Sequence, residues 1–215
     1  MTELTRSRWE RDIQKFESTW WGDCCNTYGE ESKQIAYAKV MGIDPGPWKG
    51  GDHWPIWDFG NEQVIDVGGG PTSMLLKSKA AHAVVVDPCP YPEWVADRYA
   101  AHGVFTVREP AETYLSGGPA DFYDLALCYN VLQHTLDPEK ICREMLRVAK
   151  QVRIFEWVEL PAHPGHPHEL HADELTEWLG GGGDTRHVWF DETYNEIGPE
   201  SDSPVRQHGW GGVFG

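Results

Sequence analysis

Five short segments of this chain carry side chains that can do chemistry. The first is Asp66-Val67-Gly68-Gly69-Gly70-Pro71-Thr72. Glycines let a chain turn tightly and bring its backbone close to a ligand. A carboxylate inside an apolar run, two residues before the first glycine, needs a partner, and a ligand ammonium supplies one. The plain alternative is a glycine turn with no ligand. The second segment is Asp87-Pro88, where a carboxylate is placed either to accept both ribose hydroxyls of a nucleoside or to cap a helix. The third is Glu109-Pro110-Ala111-Glu112, and the fourth is Tyr129-Asn130-Val131-Leu132-Gln133-His134. His134 titrates near neutrality and suits a general base; its other reading is a packing histidine at a helix start. The fifth is PAHPGHPHELHADE, with His163, His166, His168 and His171 beside Glu169 and Asp173. That density of imidazoles fits an acceptor-pocket wall or base, a stiff structural loop, or a metal site, but no familiar zinc spacing is present. His134, His166 and His168 are the candidate catalytic residues, and no metal is expected.

These segments need a scaffold that brings them together. VIDV (64–67), HAVVVD (82–87), VFTV (104–107), FYDLALCYN (122–130) and VRIFEWVE (152–159) are short apolar runs that read as strands. GPTSMLLKSKA and YPEWVADRYAAHG read as helices between them, the second stopped by Gly103. Asp137 and Pro138 form an N-cap and first-turn pair. The helix they open buries Ile141, Met145, Val148 and Ala149. A helix around ADELTEWLG ends at Leu179, and GGGG (180–183) reads as a flexible turn. HVWFDE and a strand near RQHGWGGVF add an antiparallel edge. Strand–helix alternation with continuously apolar strands implies a parallel sheet covered on both faces. The expected fold is therefore α/β: Rossmann-like, doubly wound and mostly parallel, with an antiparallel C-terminal edge strand. In such sheets ligands bind beyond the carboxyl ends of the strands, and each segment above follows a strand.

Residues 1–60 differ in texture and hold six of the eleven tryptophans: Trp9, Trp20, Trp21, Trp48, Trp54 and Trp57. Trp9, Ile13, Phe16 and Trp20 recur at helical spacing, which predicts an amphipathic helix over 3–18. A second helix fits EESKQIAYAKVMG, with Gly42 as its stop. DPGPWKGGDHWPIWDFG then reads as an ordered loop. The expected organisation is a helical, Trp-rich N-terminal cap or lid over 1–60 and a core over 61–215. The tryptophans either stack on a sugar face or cage a cation, or they simply cover the sheet. A lid would hinge on the Gly/Pro-rich joint DPGPWKGGDHWP.

The composition, 40% hydrophobic and 24% charged over 215 residues, is that of a soluble globular protein. No run approaches the ~18–20 apolar residues that span a bilayer. The charged start, MTELTRSRWERDIQKF, does not read as a secretory signal. The 18 basic and 34 acidic residues give a net charge of −16, which repels phosphate backbones. Neither a nucleic-acid partner nor a membrane is expected. Cys24, Cys25, Cys89, Cys128 and Cys142 fit no C-x-x-C or paired zinc pattern, so a reducing, cytoplasmic setting is the simplest reading.

In order and spacing, residues 61–160 resemble a class I S-adenosylmethionine-dependent methyltransferase of the small-molecule type (methyltransferase-11/12-like). Asp66 through Thr72 resembles the family's D-x-G-x-G-x-G motif, with Thr72 replacing the last glycine. FYDLALCYNVLQHTLDPEKICREMLRVAK resembles its fourth strand and following helix. The resemblance implies S-adenosyl-L-methionine as cofactor. In it, Gly68 and Gly70, with Gly69 between them, pass the methionine portion, and Asp66 helps hold the amino-acid end. Asp87 takes the ribose hydroxyls, with Pro88 beside it, and Asn130 with Val131 lies by the methionine portion. The family commonly places an aspartate after the third strand to bind adenine; here Pro110 stands there, which leaves the Ala111 N–H and Glu112. A nicotinamide-binding oxidoreductase also pairs a glycine turn with a later acid, but its turn is G-x-G-x-x-G around a pyrophosphate. Ser73 occupies the place of that final glycine, and an acidic pocket suits a sulfonium better than a phosphate. The expected function is methyl transfer to an oxygen or nitrogen of a small-molecule acceptor, such as a sugar or other metabolite. The alternative of another class is a non-catalytic S-adenosylmethionine-binding module.

Overall fold

The computed structural model describes residues 4–44 and 57–215. Trp48, Trp54 and all but Asp44 of the DPGPWKGGDHWP joint lie outside the described residues.

The chain opens on a helical rod in three consecutive pieces: α1 (Arg6–Arg8), a π-helical turn at Trp9–Ile13, and α2 (Gln14–Trp21). Helix α3 (Tyr28–Val40) follows, with Gly42 past its end at a positive φ. Then come β1 (Trp57–Asp58), β2 (Gln63–Val67), β3 (Ser78–Lys79), β4 (His82–Val86), α4 (Glu93–Ala101), β5 (Val104–Val107), α5 (Ala111–Gly117) and β6 (Tyr123–Tyr129). The second half adds α6 (Pro138–Val148), β7 (Ala149–Trp157), α7 (Ala172–Trp178), β8 (Gly183–Phe190), β9 (Glu196–Ile197) and β10 (Gln207–Phe214).

Eight strands form one sheet in the order β5-β4-β2-β6-β7-β10-β8-β9. The five from β5 to β7 are parallel, and β10 runs antiparallel between β7 and β8. Side chains alternate between the faces, as the pleat requires. Leu125, Leu127 and Tyr129 of β6 join α3 and α4 on one side, while Ala126 and Cys128 join α5, α6 and α7 on the other. Strand order reverses between β2 and β6, so a crevice opens beyond their carboxyl ends.

Two expectations change. GPTSMLLKSKA does not form a helix: it makes a short 3-10 turn at Met74–Lys77 and then the strand β3 paired with β1. The hydroxyls of Tyr99 and Tyr129 accept from the amides of Ser73 at 2.8 Å and Met74 at 2.9 Å, donors that the start of a turn leaves unpaired. Ser78 then turns extended and ends the turn. The N-terminal stripe also breaks in two. Trp9 and Ile13 are 3% and 4% exposed, but Phe16 and Trp20 are 39% and 66% exposed. A π-turn spends one more residue than an α-turn. Beyond it the face turned toward the sheet is Gln14, Glu17 and Trp21.

Candidate cofactor and acceptor site

Beyond the ends of β2, β4 and β6 lies a cavity of about 380 Å³, floored by Gly68, Gly70, Asp87, Pro88, Asn130 and Val131. Gly68 and Gly70 hold φ of +73° and +62°, the left-handed region glycine enters without strain. A Cβ on Gly68 would meet Val131 Cγ1 at 2.3 Å, so the bare Cα is what lets the two loops close together. Asn130 is left-handed at +58°, and its N–H donates to the Phe155 carbonyl at 2.8 Å.

Asp87 stands where β4 ends. Its two oxygens accept from the amides of Gly70 at 3.0 Å and Cys89 at 2.9 Å. Burial pushes its carboxyl up to about 6 against the pull of those amides. The Tyr91 hydroxyl also donates to this carboxylate; of its roughly four lone-pair sites, one remains for a further donor. Asp66 lies behind the turn rather than in the cavity. Its Oδ2 accepts from the hydroxyls of Ser73 and Tyr129, the latter at 2.6 Å. Its Oδ1 is buried without a hydrogen-bond partner among the described residues. Burial lifts this carboxyl to about 7. Gly69 packs against Asp66 and Ser73, beneath the cavity floor.

Ala111 and Glu112 open α5, a helix that the residue pattern left unassigned. The Glu112 carboxylate does not face the cavity; it accepts the amides of Leu136 at 3.0 Å and Asp137 at 3.1 Å. Sequence reasoning also passed over Glu156. From the carboxyl end of β7 this buried carboxylate accepts the amides of Val131 at 2.9 Å and Leu132 at 3.0 Å, fixing the loop that presents Asn130 and His134. Its signal was an acid flanked on both sides by apolar residues within VRIFEWVE, since a buried charge needs donors. Burial raises it to about 7, opposed by those amides.

The cavity wall carries His134, His163 and His166 together with Trp9, Phe16, Trp20, Trp21, Tyr91, Trp157 and Tyr194. His134 and His166 meet edge to face at 4.3 Å between ring centroids. Burial, with the charges of His134 and His163, lowers His166 to about 3, so it is neutral at physiological pH. His168 lies off the cavity, its Nε2 bonded to the Thr135 carbonyl at 2.8 Å. Among the described residues no three His, Cys, Asp or Glu side chains are grouped to hold a metal ion, and no helix is long and apolar enough to cross a membrane.

Residues 65–153 match the family model described as a methyltransferase domain. With the sheet order and the glycine turn, this match supports reading the protein as a class I S-adenosylmethionine-dependent methyltransferase. The fold is similar to that of Burkholderia thailandensis 1,6-didemethyltoxoflavin-N1-methyltransferase, at 14% identity over 100% of this chain and 92% of that one, with a TM-score of 0.62. It is also similar to S-adenosylmethionine-dependent methyltransferases from Archaeoglobus fulgidus (14% identity, 93% and 97% covered, TM-score 0.57) and Thermotoga maritima (15% identity, 96% and 98% covered, TM-score 0.56). No curated protein matches the sequence.

Proposed function

We propose that the protein methylates an oxygen or nitrogen of a small molecule held in the 380 Å³ cavity. The observation that carries this is one cavity joining the Gly68–Gly70–Asp87–Asn130 floor to a wall of histidines and aromatic rings. Gly68 and Gly70 supply close backbone, and Asp87 at the end of β4 stands where a carboxylate accepts from a ribose hydroxyl. The unpartnered Oδ1 of Asp66, buried behind the turn, supports a role for this acid at the cofactor's amino-acid end, met through water. S-Adenosylmethionine supplies an electrophilic methyl group. The chain positions the acceptor in line with that methyl, and orientation alone contributes ~7–11 kcal/mol in well-ordered model reactions. Trp9, Trp20 and Trp21 line the cavity, which favours an enzyme over a plugged binding module. The Burkholderia thailandensis structure, with 1,6-didemethyltoxoflavin and S-adenosylhomocysteine bound, supports a small-molecule acceptor on this fold.

Residues 1–60 act in this reading as a cap over the site and 61–215 as the core. The free cysteines and the sequence's acidity fit a cytoplasmic enzyme with no nucleic-acid substrate. Calorimetry with S-adenosylhomocysteine tests the assignment: micromolar binding is expected, and binding of NAD in its place would reject it. Co-crystallisation with S-adenosylhomocysteine and a small-molecule filtrate of cells would show which acceptor fills the cleft.

A further inference from the structure

The cavity ceiling holds a pair of side chains to which the family motifs assign nothing. Glu17 Oε1 lies 2.9 Å from His134 Nδ1, and that nitrogen lies 3.0 Å from the Gly165 carbonyl oxygen. A carbonyl only accepts, so Nδ1 carries the proton. In neutral His134 the lone pair is therefore on Nε2, on a ring that lines the cavity. A base whose far nitrogen is held by an acid and a carbonyl is fixed in both tautomer and orientation, the same division of labour found in hydrolytic triads.

The N-terminal helix delivers Glu17 while gripping His134 from two sides. Trp9 Nε1 donates to the His134 backbone carbonyl at 2.7 Å. Phe16 sits on Gly165 so closely that a Cβ there would lie 2.3 Å from its ring. We propose that Glu17 is the positioning residue for His134, and that docking of the N-terminal helix thereby assembles the general base of the reaction. The proposal rests on the methyl-transfer reading above, and it narrows the acceptor to one whose heteroatom must lose a proton: a hydroxyl, or a nitrogen bearing hydrogen. That proton passes to the Nε2 lone pair as the heteroatom forms its bond to the methyl carbon, the electron pair of the cleaved methyl–sulfur bond remaining on sulfur. The imidazolium so formed lies against the Glu17 carboxylate.

Other titratable groups face the pair. Glu156 acts on His134 from β7, but its oxygens are engaged by the Val131 and Leu132 amides. His166 faces the ring from the loop side and is neutral. Asp87, Cys89 and Tyr91 face Glu17 across the cavity. Burial alone would lower the His134 pKa; the Glu17 hydrogen bond and charge outweigh it and raise it.

The test compares wild type, Glu17→Gln and Glu17→Asp by imidazole ¹⁵N NMR titration with S-adenosylhomocysteine bound. A second arm follows transfer of labelled methyl from S-adenosylmethionine into a small-molecule filtrate of cells across pH. Glu17→Gln should lower the His134 pKa by about 1 unit or more and weaken the Nδ1–H tautomer signal. The acid limb of transfer should move to lower pH by the same amount, and its plateau should fall ~10–100-fold, as for a base left poorly oriented. Glu17→Asp should recover part of each. An unshifted His134 signal, or full transfer with an unmoved acid limb, overturns the pairing. Wild type that binds S-adenosylhomocysteine yet transfers to nothing also overturns it, whereas wild type that does not bind S-adenosylhomocysteine at all overturns the methyltransferase reading beneath it.

Discussion

Tyr129 reaches across 63 positions of sequence to donate a 2.6 Å hydrogen bond to Asp66 in the interior. The bond ties the end of β6 to β2 just before the glycine turn, yet it satisfies only one oxygen of the carboxylate. Burial holds that carboxyl near 7, far above its ordinary value of 3.8. The folded protein therefore keeps a proton that the unfolded chain releases near pH 4. The stability this proton contributes is fully present below the unfolded pKa and is lost as pH rises through about 7. Urea unfolding of wild type and Asp66→Asn at several pH values checks this: the difference between them should change by a few kcal/mol from pH 4 to pH 7 and stay flat above. A difference independent of pH would show that Asp66 is ionised in the folded state.

Asp87→Asn should weaken S-adenosylhomocysteine binding ~10–100-fold, since a charged acceptor contributes ~1.5–3 kcal/mol per hydrogen bond. The loss of its charge also loosens the Gly70 and Cys89 amides, so a small fall in melting temperature is expected. Normal binding with early melting would make Asp87 a structural cap alone.

Gly68→Ala strains a backbone at φ +73° and drives a methyl into Val131. Overpacking of this kind costs ~1–3 kcal/mol. Val131 gives way toward the cavity, so cofactor affinity should fall along with the melting temperature. Retained affinity in a folded variant would show that the turn tolerates displacement and that the close approach is not needed by the ligand.

Whether the N-terminal helix moves is open to hydrogen exchange. The Trp9 hydrogen bond to His134 and the Glu17 contact hold the helix from residues 6 to 21 over the site. Exchange there should slow when S-adenosylhomocysteine is added, while β7 changes little. Trp9→Phe, which removes the donor and keeps the ring, should speed exchange in the same residues without ligand. Full protection with and without ligand would mark a permanent cap.

The parallel strands were legible because burial on both faces writes them as unbroken apolar runs. Asp87 and the glycines were legible for a related reason: polar and glycine residues at strand ends interrupt those runs where ligands bind. What the pattern missed has local causes. Helix α5 is seven residues long and too short to show a period. The turn at Met74–Lys77 stops because Ser78 and Lys79 pair as a strand with Trp57 and Asp58, a contact remote in sequence. Glu112, chosen as the acid nearest the adenine position, points instead to the turn at Leu136 and Asp137. Glu17 was hidden by the assumption of an uninterrupted 3.6-residue period, which reads only Phe16 and Trp20 as facing inward.

The π-turn at Trp9–Ile13 also has a consequence for lineage and for grafting. It holds one surplus residue between two stretches that each keep ordinary helical phase. A descendant that lost one residue from it would become a plain helix and still present Gln14, Glu17 and Trp21 to the same ceiling. Chain length at this point is thus a neutral variable, whereas counting from the N-terminus is not. Anyone matching this helix to another, or transplanting it, should anchor the alignment on the partner of His134 and let the numbering slip upstream.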